Sequence, residues 1–173
     1  LPEIVRLLCE YGANTELCSL KSRTDGHLEG GGITCLNMAA ASGATEVVRI
    51  LLQYGASMSA AESEEGNTAL HKAAEYGHVA TCRLLCDHGA DINARNKSGC
   101  TPLYLAVAEA HEDVVSLLIE RGADANSGTS VSPLYLACYN GHDPLIALLV
   151  RGGADVNFQH PVDGSTCLMA CIL

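Results

Sequence analysis

His78, Cys82 and Cys86 stand four residues apart, so on a helix they share one face and offer three of the four ligands of a tetrahedral zinc site. His88 or Cys100 would have to supply the fourth. Against zinc, Cys82 and Cys86 sit in an apolar pattern, where a free thiol behaves as a small hydrophobe. Cys167 and Cys171 are spaced likewise and read the same way. Gly30-Gly31-Gly32 precedes Ile33-Thr34 but lacks the Lys-Ser/Thr with which a glycine loop holds phosphate. The chain has no Gly-x-Ser-x-Gly turn, no His-Glu-x-x-His helix and no calcium loop. These residues do not assemble into an active site. The expectation is a chain that is not an enzyme and needs neither cofactor nor metal.

Composition narrows the remaining classes. Nine cysteines in 173 residues could form a disulfide framework, but the number is odd and no Cys-x-x-Cys occurs. Free thiols at apolar helix places point to a reducing compartment, the cytoplasm or alternatively the nucleus. The sequon Asn96-Lys97-Ser98 carries no weight there. Twenty acidic against ten basic residues leave a net charge of −10, which disfavours nucleic acid, whose phosphates need a basic stripe. The same charge fits a basic protein partner, or simply a soluble surface. No apolar run nears the roughly 20 residues that cross a bilayer, so membrane insertion is not expected. Leu1-Pro2-Glu3-Ile4 has neither the basic start nor the cleavage site of a secretory leader.

The elements that position these residues repeat. Thr34-Cys35-Leu36-Asn37-Met38-Ala39, Thr68-Ala69-Leu70-His71-Lys72-Ala73, Thr101-Pro102-Leu103-Tyr104-Leu105-Ala106 and Ser132-Pro133-Leu134-Tyr135-Leu136-Ala137 share one pattern, which restarts at Thr166-Cys167-Leu168-Met169-Ala170. The lead residues lie 34, 33, 31 and 34 positions apart, and a Gly-Ala pair follows each of the first four by 21. Each lead Thr or Ser is a good helix N-cap, and Pro102 and Pro133 suit the first helical position. Ala39-Ala40 and Ala73-Ala74 permit close helix approach, and Gly43, Gly77 and Gly141 end the first helix in a left-handed turn. Second helices follow, such as Val47-Val48-Arg49-Ile50-Leu51-Leu52, apolar at helical spacing.

This pattern resembles the ankyrin repeat, with its period of about 33 residues and its Thr-Pro-Leu-His-x-Ala motif. The resemblance implies an all-α solenoid of helix-turn-helix units with projecting hairpin fingers, acting as a protein-protein interaction module. The expected layout is a half repeat over 1–16, a longer loop over 17–31, complete repeats over about 32–63, 64–96, 97–129 and 130–161, and a truncated repeat over 162–173. An array that opens inside a second helix and closes inside a first one reads as part of a longer array. Several positions depart from the pattern. Ala110 replaces the turn glycine, only His71 keeps the motif histidine, and the finger before Ser132 is short and lacks Asp-Gly. The loop over 17–31 carries Lys21, Arg23 and His27, and is either a tolerated surface loop or a contact segment phosphorylated at Ser19 or Ser22.

The family's usual binding face is concave, built from finger tips and first helices. Carried onto this chain it implies Glu64, Glu65, Asn67, Lys97, Ser98 and Cys100 at the tips, with Val131, Asp163 and Ser165 further along. The helix ends contribute Glu75, Tyr76, Glu109, Tyr139 and Asn140. Glu64, Glu65, Glu75 and Glu109 form an acidic cluster suited to a basic peptide, while Tyr104 and Tyr135 fill gaps between repeats. Two roles stay open: an adaptor or scaffold segment, or the substrate-recognition part of a larger enzyme or ubiquitin-ligase adaptor. Asn93, Asn126 and Asn157 follow second helices, each with a leucine eight residues earlier. They either stabilise the turn or resemble ankyrin asparagines that are hydroxylated.

Overall fold

The computed structural model describes residues 2–16, 32–62 and 64–172; the loop over 17–31, with Ser19, Ser22, Lys21, Arg23 and His27, lies outside them. Ten helices form among the described residues. In chain order they are α1 (Pro2–Glu10), α2 (Cys35–Ala41), α3 (Thr45–Gln53), α4 (Ala69–Glu75), α5 (Val79–Asp87), α6 (Pro102–Ala108), α7 (Glu112–Glu120), α8 (Pro133–Tyr139), α9 (Asp143–Arg151) and α10 (Cys167–Ala170). The even-numbered helices stack on one another in one row and the odd-numbered ones in a second. Each short helix starts at its lead hydroxyl. Thr34, Thr101, Ser132 and Thr166 accept the backbone N–H three residues on, at 3.1, 3.2, 3.1 and 3.3 Å.

Seven residues make fewer than two full turns, too little to persist without packing. Stability therefore comes from stacking. Leu36, Leu70, Leu103 and Leu134 are buried at equivalent places of the inner row, and Leu51, Leu85, Leu118 and Leu149 at equivalent places of the outer row. Burial of one such side chain contributes about 1.5–3 kcal/mol. Ala40, Ala74, Val107 and Ala106 are fully covered where the rows meet, leaving little room for larger side chains. At the ends, Ile4, Leu7 and Leu8 of α1 and Leu168 and Ile172 around α10 are exposed.

Two kinds of polar contact tie neighbouring repeats at most junctions, and both depend on single positions in the motif. In the first, the fourth motif residue reaches the residue before the next lead hydroxyl. Asn37 Nδ2 donates to Asn67 O at 2.9 Å, His71 Nε2 to Cys100 O at 3.0 Å, and the Tyr135 hydroxyl meets Ser165 Oγ at 2.7 Å. The second runs between turns: His78 Nε2 donates to Ala41 O and His111 Nε2 to Glu75 O, at 3.0 and 2.9 Å. Such a ring needs an open space over the preceding turn. A Cβ on Gly43 would stand 2.6 Å from the His78 ring, and one on Gly77 would stand 2.7 Å from that of His111.

Among the described residues, both contacts are missing between the third and fourth repeats. Ala110 occupies the turn in a left-handed conformation (φ 58°), and its methyl takes the space that the glycines leave. The ring of His142, the counterpart of His78 and His111, accordingly makes no hydrogen bond among the described residues. The Tyr104 hydroxyl also has no hydrogen-bond partner among them, and its ring lies under the short third finger, close to Gly128. The other three fingers close with a backbone rung: Glu62 N to Asn67 O, Asn96 N to Cys100 O and His160 N to Ser165 O. The short finger replaces that rung with a turn in which the Val131 amide donates to Thr129 Oγ1 at 3.1 Å.

Left-handed backbone costs a non-glycine residue roughly 1–2 kcal/mol, partly offset by the extra unfolded-state freedom of glycine. Ala110→Gly should thus stabilise the chain by about 1 kcal/mol and let His142 bond to Ala108 O. Urea unfolding should show a higher midpoint at an unchanged slope, with a smaller gain in Ala110→Gly/His142→Ala. His71 yields a pH prediction. Cys100 O can only accept, so Nε2 carries the proton while Nδ1 accepts the Thr68 amide at 3.2 Å. Burial lowers its pKa below the ordinary 6.5, against the pull of the Cys100 carbonyl. Above pH 6.5 the ring is neutral in both states and the contact contributes fully. As pH falls below 6.5 the unfolded chain takes up a proton that the folded one refuses, and this stability is lost. Against His71→Asn, wild type should be about 1 kcal/mol more stable at pH 7.5, with the gap narrowing steadily toward pH 5.

Candidate protein-binding surface

The inner helices turn one side toward the outer row and leave the other to solvent. Met38, Tyr76 and Tyr139 are large side chains on that free side, 53%, 53% and 66% exposed. Glu109 and Asn140 are exposed beside them, and Glu64, Glu65, Lys97 and Ser98 are exposed on the fingers. These residues line one continuous side of the stack because the inner helices and their fingers repeat in register. Tyr76 lies parallel to the His78 ring at 6.5 Å between centroids, so its position is partly set by the turn contact.

Two finger positions differ from expectation. Asn67 and Cys100 are buried, and neither is presented at a tip. They directly precede a lead hydroxyl, where the chain runs back into the stack. Both carbonyls accept from the preceding repeat, and Asn67 Oδ1 also takes Asn96 Nδ2 at 2.8 Å. Tyr135 is buried as a gap filler, edge-on to Phe158 and stacked on His160.

The acidic cluster also differs. Lys72 stands at its centre, its ammonium 3.0 Å from Glu62, 3.1 Å from Glu75 and 3.7 Å from Glu65. Lys72 and Glu62 are both nearly covered, so this is a largely desolvated charge group and not an open acidic patch. Burial alone would lower the lysine pKa, but the contacts its ammonium makes to the Glu62 and Glu75 carboxylates outweigh it and raise the value. Sequence reading overlooked Glu62 and Lys72. The signal was present, since Lys72 takes the variable motif position four residues after the lead Thr68 and within one turn of Glu75.

Several of the other chemistry-bearing residues make contacts within the stack. His78 is committed to Ala41 O, and burial pushes the Cys82 thiol up to about 12. No group of three or more potential metal ligands comes together among the described residues. Asn93 Oδ1 accepts the Asp124 amide at 2.9 Å and Asn126 Oδ1 the Asp155 amide at 2.7 Å, each bridging to the next repeat. Asn126 also donates to Gly153 O. Asn157 is exposed, its amide held by Asp155 Oδ1 at 2.9 Å.

Comparison with known proteins accounts for this architecture. The family model described as ankyrin repeats (3 copies) matches residues 57–129, and the single ankyrin repeat matches 31–62 and 131–161. The chain belongs to the ankyrin-repeat family. Among curated relatives, the NF-kappa-B inhibitor cactus of Drosophila yakuba is 34% identical over 149 residues, covering 75% of this chain and 30% of the relative. A transient receptor potential cation channel subfamily A member 1 homolog of Caenorhabditis elegans is 40% identical over 96 residues, covering 56% of the chain and 8% of the relative. The E3 ubiquitin-protein ligase KEG of Arabidopsis thaliana is 42% identical over 81 residues, 47% of the chain and 5% of the relative. The chain thus spans less than a third of each of these relatives. Ankyrin repeats are protein-protein interaction modules, and no helix among the described residues is long and apolar enough to cross a membrane.

Removing Lys72 would leave the covered Glu62 carboxylate without its cation. Lys72→Met should cost about 2–3 kcal/mol at pH 7, measured by urea unfolding, because an orphaned buried charge is penalised more than a missing pair. Lys72→Met/Glu62→Gln should recover a substantial part of that loss.

Proposed function

We propose that this ankyrin segment is a non-catalytic adaptor or scaffold arm that binds a partner protein across the inner helices and fingers. The observation that carries this reading is the exposure of Met38, Tyr76 and Tyr139 on one continuous side, beside Glu109 and the finger residues. Tyrosine is a frequent interface anchor, since its ring buries area at low entropic cost while its hydroxyl finds a partner. The net charge of −10 favours a basic segment of that partner over nucleic acid. Because Lys72 offsets Glu62, Glu65 and Glu75, the attraction falls mainly on Glu109 and the carboxylates toward the fourth and fifth repeats. Unpaired thiols at the buried Cys82, Cys100, Cys138 and Cys167 support a reducing compartment, the cytoplasm.

A second reading makes this segment the substrate-recognition part of a larger enzyme or ubiquitin-ligase adaptor. It is favoured by the match to a ligase of which the aligned portion is only 5%. Both readings place the partner on the same surface.

The test is surface plasmon resonance against a partner obtained by affinity purification. Tyr76→Ala and Tyr139→Ala should each speed dissociation and cost roughly 2 kcal/mol without lowering stability. Glu109→Lys should instead slow association and flatten its salt dependence, the Debye length being about 8 Å at physiological ionic strength. Reversing Glu46 and Glu112 on the outer helices should change neither rate. If the outer-helix variant loses binding while the tyrosine variants retain it, the partner binds the opposite face.

A further inference from the structure

The row of fingers has a gap where the third finger is short. Gly66, Gly99 and Gly164 shape the tips of the other fingers in left-handed conformations, and the finger over 125–132 has no such residue. Behind the gap opens a cavity of about 340 Å³. Tyr104, Val131, Leu136, Tyr139, His160 and Asp163 line it. No lysine or arginine among the described residues lines it.

Three features of this notch point to one kind of occupant. The Tyr104 hydroxyl is unengaged among the described residues, whereas the equivalent side chains of Asn37, His71 and Tyr135 all bond to the next repeat. Asp163 takes its side-chain contacts with the described residues through one oxygen: Oδ1 receives His160 Nδ1 at 3.1 Å, the Ser165 amide at 3.0 Å and Ser165 Oγ at 2.7 Å. Those Ser165 hydrogen bonds hold the carboxyl below its usual range, so it is ionised at neutral pH with Oδ2 left to solvent. The aliphatic surfaces of Val131 and Leu136 and the exposed Tyr139 ring line the same notch.

Resting on the reading that a partner protein lies across this face, we propose that the notch receives one arginine side chain of the partner. Its methylene stem lies on Val131 and Leu136, and its guanidinium lies between Asp163 Oδ2 and the hydroxyl and ring of Tyr104. A purely apolar side chain would cover the Asp163 carboxylate and the Tyr104 hydroxyl without replacing their water, an uncompensated cost. An anion would meet Asp163. Arginine suits the notch better than lysine because its planar, weakly hydrated fork stacks on tyrosine while donating in two directions. The occupant explains why the notch combines an apolar wall with an acidic rim: a long cationic side chain has both parts.

The probe is N-acetyl-arginine amide, titrated into the ¹⁵N-labelled chain, with N-acetyl-norleucine amide as its uncharged counterpart. The arginine probe should give saturable shifts at the amides of Val131, Leu136 and Asp163, with a Kd on the order of 1–10 mM that weakens with added salt. The norleucine probe should not saturate. Asp163→Asn keeps an oxygen for the Ser165 bonds and should weaken the arginine probe roughly threefold to fivefold. Tyr104→Phe keeps the ring and should weaken it by a similar factor. Equal binding of norleucine amide, or arginine binding unaffected by both substitutions, overturns the proposal. The same two variants against the purified partner separate the two levels of inference. A partner that loses affinity on Tyr76→Ala but not on Asp163→Asn or Tyr104→Phe removes the notch and leaves the binding face intact. Loss on the outer helices alone removes both.

Discussion

The side chain of the fourth motif residue leaves its own repeat and satisfies a polar group in the next, and the regularity of the stack rests on that crossing. Helices of seven and nine residues cannot bury their apolar faces alone, so each repeat is ordered only by its neighbours. Leucine stacking supplies most of the free energy but is non-directional. Register comes from contacts with geometry: Asn37 to Asn67, His71 to Cys100, Tyr135 to Ser165. Each adds a second bond to a carbonyl or hydroxyl that already has a partner within its own finger. Three different side chains perform one task because a donor at the right reach is all that is required.

At the junction of the third and fourth repeats that crossing is absent, and the local structure changes with it. In the short finger the Val131 carbonyl accepts Thr129 Oγ1 in place of Tyr104, and a methyl group on Ala110 closes the turn against His142. Packing of α6 on α8 and the bridge from Asn126 to Asp155 hold the junction together. The polar atoms released there do not vanish into the core. The Tyr104 side chain lines a cavity together with the exposed Tyr139.

Charge on this face is distributed less simply than its carboxylates suggest. In the second repeat a lysine is drawn down among three glutamates, nearly covered together with Glu62 while Glu65 stays exposed. In the later repeats Glu109 and Asp163 meet no lysine or arginine among the described residues. Carboxylate charge that no lysine or arginine offsets therefore lies toward the apolar, tyrosine-bearing end of the solenoid.

The range of the forces involved sets how much of this was legible in the sequence. The period, the N-cap hydroxyls, the left-handed glycines and the strain at Ala110 depend on neighbours within a few residues, so spacing alone revealed the fold and its family. Exposure of Tyr76, Glu109 and Tyr139 came from the same local frame. The burial of Asn67 and Cys100, the pairing of Lys72 with Glu62, the unengaged Tyr104 and the notch beside Asp163 involve residues that come together only when one repeat is laid on the next. A linear motif marks which positions face the neighbouring repeat; it does not record which partner atom waits there. Tertiary structure decided those pairings because a hydrogen bond or an ion pair requires a donor and an acceptor within about 3 Å, and stacking sets that distance.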